Sequence, residues 1–186
     1  MKKLAALMLI CLTLLGCTKT RNMLDKAMTL RADLLACESC TFDATITADY
    51  GDQIQVFGMS CVGDNDGAVQ FAVTAPESIA GITGVIDAEK GHLTFDDQAV
   101  AFSLLADGQV TPVSGPWILM KTLLGGYLTA CNQEENLLHL MINDSYADDA
   151  LELEIWLDGD VNPIQAEIGY DGRRILTMEI ENFQIQ

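Results

Sequence analysis

The spacing of apolar positions changes character along this chain, and each change predicts an element. Leu4 to Leu15 is an apolar run of twelve residues. In the stretch MLDKAMTLRADLLA, residues 23–36, the apolar residues Met23, Leu24, Ala27, Leu30, Leu34 and Leu35 fall mostly at three- and four-residue steps, which predicts an amphipathic helix with one face to bury. Beyond it the period becomes two. Phe42, Ala44, Ile46 and Ala48 alternate with Asp43, Thr45, Thr47 and Asp49, as in a half-buried strand. Tyr50-Gly51-Asp52-Gln53 reads as a turn, and QIQVFGMSC as the returning strand. If Tyr50 pairs with Gln53, then Ile46 faces Phe57, Ala44 faces Met59 and Phe42 faces Cys61. The apolar sets then coincide on one side of the hairpin.

Similar signals continue. Gly63-Asp64-Asn65-Asp66-Gly67 is a turn, followed by the strand AVQFAVT. GVIDAEKGHLTFDD suggests two strands around Glu89-Lys90-Gly91, and AVAFSLL ends before Asp107-Gly108. One stretch departs from the two-residue period. Ser114 or Gly115 as cap, Pro116 in the first helical turn and WILMKTLL up to Gly125 predict a short inserted helix over 116–124. YLTAC, NLLHLMI, ALELEIWL, IQAEIGY and RRILTMEIENFQI complete an antiparallel meander, with turns such as Asp158-Gly159 and Asp171-Gly172. The fold class expected is α+β: a curved antiparallel sheet with an N-terminal helix and a short inserted helix on its concave side.

The run Leu4–Leu15 is too short for a helix that must supply about 20 apolar residues to cross a bilayer. It fits the hydrophobic region of a secretion signal, with Lys2 and Lys3 as its positive start. Leu14-Leu15-Gly16-Cys17 resembles the lipobox of bacterial lipoproteins. The resemblance implies cleavage after Gly16, a diacylglycerol thioether on Cys17, and further acylation. The organisation expected is a signal peptide at 1–16, a lipidated tether at 17–22 and one domain at 23–186. The mature protein would be extracytoplasmic and lipid-anchored, and otherwise a soluble monomer. Multiple chains on one cysteine anchor stably where a single chain is marginal.

The full chain carries 27 acidic and 10 basic residues, a net charge of −17; loss of Lys2 and Lys3 with the leader would take it to −19. Only Lys90, Lys121, Arg173 and Arg174 are basic beyond residue 31. Such a surface repels phosphate, which argues against nucleic-acid binding. It also repels an anionic membrane, so the body is expected to stand off the bilayer.

Removal of Cys11 and acylation of Cys17 would leave Cys37, Cys40, Cys61 and Cys131, which allow three full pairings. Cys37-Glu38-Ser39-Cys40 has redox spacing, but it follows a helix instead of opening one, so the helix N-terminus that lowers a thiol pKa is missing. In the hairpin register above, Cys40 lies diagonally across from Cys61 on the same face. That makes Cys40–Cys61 the preferred disulfide, worth about 3 kcal/mol in the chain-entropy model. His92 and His139 have no His or Cys at ligand spacing, so no metal site is expected, and no cofactor. Nucleophile elbows, phosphate loops and paired acid–base motifs are missing, and the chain is not expected to be an enzyme.

The order helix, long meander, inserted helix, closing strands is similar to the LolA/LolB-like lipoprotein-carrier superfamily. LELEIWLDGDVNPIQAEIGYDGRRILTMEIENFQI, residues 151–185, resembles that family's closing hairpins, and FAVTAPESIAGITGVI its strand running into a proline-containing turn. The resemblance implies that the curved sheet forms an eleven-strand-like, unclosed half-barrel, with the inserted helix as a lid over an apolar cavity for lipid or lipoprotein acyl chains. The expected lining is Phe42, Ile46, Phe57, Met59, Phe71, Val73, Trp117, Met120, Leu124, Leu140, Met178 and Ile180, because methionine and aromatic walls suit flexible apolar ligands. No counterpart is identified for the arginine that holds the lid shut in the periplasmic carrier. Being itself lipidated, the chain is expected to act as a tethered receiver or binder in lipid or lipoprotein trafficking, not as a free shuttle. A non-carrier structural or sensory envelope module, its interior filled by its own side chains and its acidic convex face binding a protein partner, is the alternative.

Overall fold

The computed structural model describes residues 22–186 except 52, 88, 89, 96, 97, 104, 107 and 108; side chains at 90, 91, 93–103, 105, 106 and 109 are likewise outside the description. The signal, the lipobox and Cys17 therefore lie outside the described residues. None of the described helices is long and apolar enough to cross a membrane.

Helix α1 covers 22–36. It is followed by strands β1 (Ser39–Asp49), β2 (Ile54–Asp64), β3 (Val69–Ala75), β4 (Thr83–Asp87), β5 (Lys90–Phe95), β6 (Gln98–Ser103), β7 (Leu105–Ala106) and β8 (Gln109–Val110). Helix α2 (Gly115–Gly125) comes next, then β9 (Tyr127–Glu134), β10 (Leu137–Asn143), β11 (Glu152–Leu157), β12 (Pro163–Tyr170) and β13 (Arg173–Ile185). Eleven strands form one antiparallel sheet in the order β6-β5-β4-β3-β2-β1-β13-β12-β11-β10-β9, and β7 pairs with β8 separately. β6 and β9 are the two ends of that order and do not pair with each other, so the sheet is unclosed.

The fold class is the one the two-residue period predicts. Ile46 pairs with Phe57, Ala44 with Met59 and Phe42 with Cys61, and the Tyr50 N–H donates to the Gln53 carbonyl at 3.0 Å. Parity carries the same face across the sheet. Val69, Phe71 and Val73 on β3, Leu138, Leu140 and Ile142 on β10, Leu153, Ile155 and Leu157 on β11, and Leu176, Met178 and Ile180 on β13 are all buried.

One irregularity preserves the pattern. The pairing of β1 with β13 slips between Thr41 and Asp43, and Asn182 takes a left-handed φ of 54°. The extra residue in β13 changes the parity, so Phe183 turns inward and stacks on Phe42 with ring centroids 5.8 Å apart. The Asn182 amide, turned outward, donates to Asp43 Oδ2 at 2.8 Å.

Helix α1 buries Ala27, Leu30 and Leu34 against the sheet, but Leu24 is 42% and Leu35 52% exposed, so the buried stripe is narrower than the spacing suggests.

Candidate functional site

The concave side of the sheet is built around α2. Pro116 stands in its first turn, where a missing N–H costs nothing, and Ser114 precedes it. Gly115, Pro116, Trp117, Ile118, Leu119, Met120, Thr122 and Leu123 are all buried. A helix that is apolar on every side belongs inside a core. Two glycines allow the close approach. A Cβ on Gly115 would stand 3.1 Å from Met178 Sδ and 3.7 Å from Ile46 Cδ1. One on Gly63 of β2 would stand 3.1 Å from Met120 Cε and 3.2 Å from Cys40 Sγ. Met120 Sδ and Cys40 Sγ lie 3.5 Å apart. The helix therefore starts at Met178 and Ile46, passes Gly63 at its middle and reaches Gly67 near its end, where a Cβ would stand 3.6 Å from Leu124 Cδ1.

Of the expected lining, Phe42, Ile46, Met59, Phe71, Val73, Trp117, Met120, Leu140, Met178 and Ile180 come together in one buried cluster, and Leu124 packs half-buried against it. Phe57, towards the β1–β2 turn, is half-buried. Between α1, α2 and strands β9–β10 the free space is about 10 Å³, bounded by residues such as Leu30, Leu123, Leu140 and Ile142. The helices thus fill this part of the interior. A wider groove of about 650 Å³ lies on the opposite face, across β13 and β1–β5, lined by Thr41, Ser60, Val62, Gln70, Val85 and Gln184 among others. Its carboxylate, Asp43, accepts from Ser60 Oγ at 2.5 Å and from Asn182, and both bonds hold it below the usual carboxylate range.

Sequence reasoning missed the polar clasp on α2. Arg31 of α1 donates from Nε to the Leu123 carbonyl at 2.6 Å and from Nη2 to the Thr122 carbonyl at 3.3 Å. The Leu123 carbonyl is of the kind a helix leaves unsatisfied at its negative dipole end, while that of Thr122 also accepts from the Gly126 N–H at 2.8 Å. Lys121, the charged residue of α2, lies 3.7 Å from Asp144 and 5.0 Å from the Trp117 ring centre. Among the described residues, buried Thr122 Oγ1 has no hydrogen-bond partner. Replacing Arg31 by Gln is expected to lower stability by about 1–3 kcal/mol and to speed hydrogen exchange selectively in α2, since a charge-assisted bond to backbone is lost. Hydrogen-exchange mass spectrometry resolved by peptide checks it.

His139 is not isolated. Its Nδ1 lies 2.9 Å from Glu134 Oε1 and its Nε2 2.8 Å from Glu154 Oε2. Its ring stacks on Trp156 at 4.5 Å, and Trp156 Nε1 donates to Glu134 Oε2 at 2.9 Å. The cluster joins β9, β10 and β11 on the outer face. Among the described residues no three of His, Cys, Asp and Glu are grouped to hold an ion.

Cys37, Cys40 and Cys61 are buried free thiols, and Cys131 a half-buried one. Cys40 and Cys61, the pair expected to form a disulfide, both carry free thiols in the structure. Cys40 stands opposite Gly63 and Cys61 opposite Phe42, so the two are the diagonal neighbours that the hairpin register predicts.

No protein-family model matches the chain, and no curated protein matches it. Solved structures are similar to it in chain path. A LolA superfamily protein from Nitrosomonas europaea shares 10% identity over 86% of this chain and 93% of its own, with a TM-score of 0.44. The Mycobacterium tuberculosis lipoprotein LppX shares 12% over 88% and 95%, with a TM-score of 0.43. An uncharacterised conserved protein from Thermus thermophilus shares 13% over 90% and 88%, with a TM-score of 0.47.

Proposed function

We propose that this chain is an extracytoplasmic lipoprotein, cleaved after Gly16 and acylated on Cys17, whose domain at 23–186 binds a hydrophobic ligand of the lipid or lipoprotein acyl-chain class. The role is binding, not catalysis. The observation that carries it is α2: an apolar helix laid on the methionine- and aromatic-rich inner face of an unclosed sheet, and clasped at its C-terminal end by polar groups.

In this reading α2 is the lid and occupies the ligand's place. Lifting it would open a trough of about 16 Å, the length of its eleven residues. Each ligand methylene buried there contributes about 0.8 kcal/mol, which offsets the contacts α2 gives up. Opening also relieves the unpartnered Thr122 hydroxyl, a burial that costs about 1–3 kcal/mol in the closed arrangement.

The filled interior favours the alternative, an envelope module that uses its outer surface on a protein partner. Native mass spectrometry of the protein purified from its host envelope separates the two. Lipid that co-purifies and is released on denaturation is the expected result. A bare mass with no uptake of added fatty acid or phospholipid would reject the lipid reading in favour of the module.

A further inference from the structure

Strand β9 ends the sheet, and among the described residues no strand pairs with its outer edge. Edge strands are normally protected by proline, lysine or a bulge. Residues 127–134, YLTACNQE, contain neither proline nor lysine. The pairing of β9 with β10 slips between Met141 and Ile142, near Thr129, which leaves 130–134 as a regular run with, among the described residues, no strand on its outer side.

Beside this edge stands an exposed apolar patch. Tyr127 and Tyr146 are 38% and 83% exposed, with ring centroids 3.5 Å apart, and Met141 on β10 is also exposed. The loop that carries Tyr146 is closed by the Asp144 N–H donating to the Leu151 carbonyl, and it holds Asp148 and Asp149. Glu134 and Glu135 lie at the far end of β9. Lys121 is already paired with Asp144, and Lys26 of α1 stands near Gln133, at the end of β9 away from the tyrosines.

We infer that β9 is a docking edge for an extended, cationic segment of another protein, which adds as a further strand. Main-chain hydrogen bonds to 130–134 would hold it. Side chains on its outer face would meet the Tyr127–Tyr146 patch and, where they are lysine or arginine, Asp148 and Asp149, since Glu134 is already bonded to His139 and Trp156. A second copy of this chain fits poorly, because it would bring the same carboxylates together from a protein of net charge −17.

The test uses the full chain in mild detergent and the acetylated, amidated octapeptide of four Lys-Val repeats. Backbone amide shifts confined to 130–134 and the 146–149 loop are expected. A peptide N-methylated at every residue keeps the charge but cannot pair, and should bind at least tenfold more weakly. Asp148→Asn with Asp149→Asn should weaken binding several-fold. Equal binding of the N-methylated peptide, shifts elsewhere, no binding at millimolar peptide, or a dimer by sedimentation that is broken by Ala130→Pro would each overturn the proposal.

Discussion

Met120→Asp is expected to unfold the protein at room temperature. Met120 is 1% exposed, and its thioether touches Cys40 Sγ at 3.5 Å under Gly63. A carboxylate placed there meets thiols and apolar side chains. Burying an unpaired charge costs several kcal/mol even after relaxation, a large part of the about 5–15 kcal/mol that holds a domain together. Met120→Ala removes the same contacts without the charge and should lose about 2–5 kcal/mol, with a cooperative melt retained. Circular dichroism melts of the two variants check both values. Trp117 is buried as well, so an aspartate at either residue tests folding and not ligand binding. A Met120→Asp melt matching that of the unmodified chain would remove α2 from the core.

The second large effect is alkaline destabilisation through the buried thiols. Burial pushes Cys40 up from an ordinary 9.0 to about 11, with the nearby Cys37 adding to the shift. Burial pushes Cys61 up to about 12, with Asp43 and then Cys40 adding to it. Both folded values lie above the unfolded one. The thiols therefore cost nothing below about pH 9, where folded and unfolded chains are alike protonated. Above it the unfolded chain releases protons that the folded chain retains, and stability falls until pH passes the folded values. Each unit of difference corresponds to about 1.4 kcal/mol, so several kcal/mol should be lost between about pH 9 and 12. Urea midpoints measured at pH 8, 9, 10 and 11 should fall steeply for the native sequence. They should fall distinctly less for Cys40→Ala with Cys61→Ala. Parallel slopes in the two proteins would show that other groups carry the alkaline loss.

Much of the sheet was legible because its signals are local. The Ile46–Phe57 register needs only a two-residue period and a short turn, and a one-residue slip would expose Phe42, Ala44 and Ile46 together. The limits of α2 were legible from Pro116 and Gly125. Other features were not. Arg31 acts on carbonyls 92 and 91 residues away, and a backbone acceptor leaves no mark in sequence. His139 looked solitary because its carboxylate partners sit on the neighbouring strands β9 and β11. The left-handed Asn182, which turns Phe183 inward, falls in a strand whose alternation alone would have pointed that ring to solvent. Leu24 and Leu35 matched the helical period, yet the width of a buried stripe depends on what covers it.

By itself the sequence determined the order of elements, their faces and the meander, because period, turn residues and helix stops act within a few residues of each other. Only the tertiary structure decided that α2 fills the concave side, that Arg31 and Lys121 clasp it, and that β9 ends the sheet with, among the described residues, no strand on its outer edge. Filling a volume is a sum over side chains from distant segments, and whether they leave a void depends on how closely Gly63 and Gly115 let two surfaces approach.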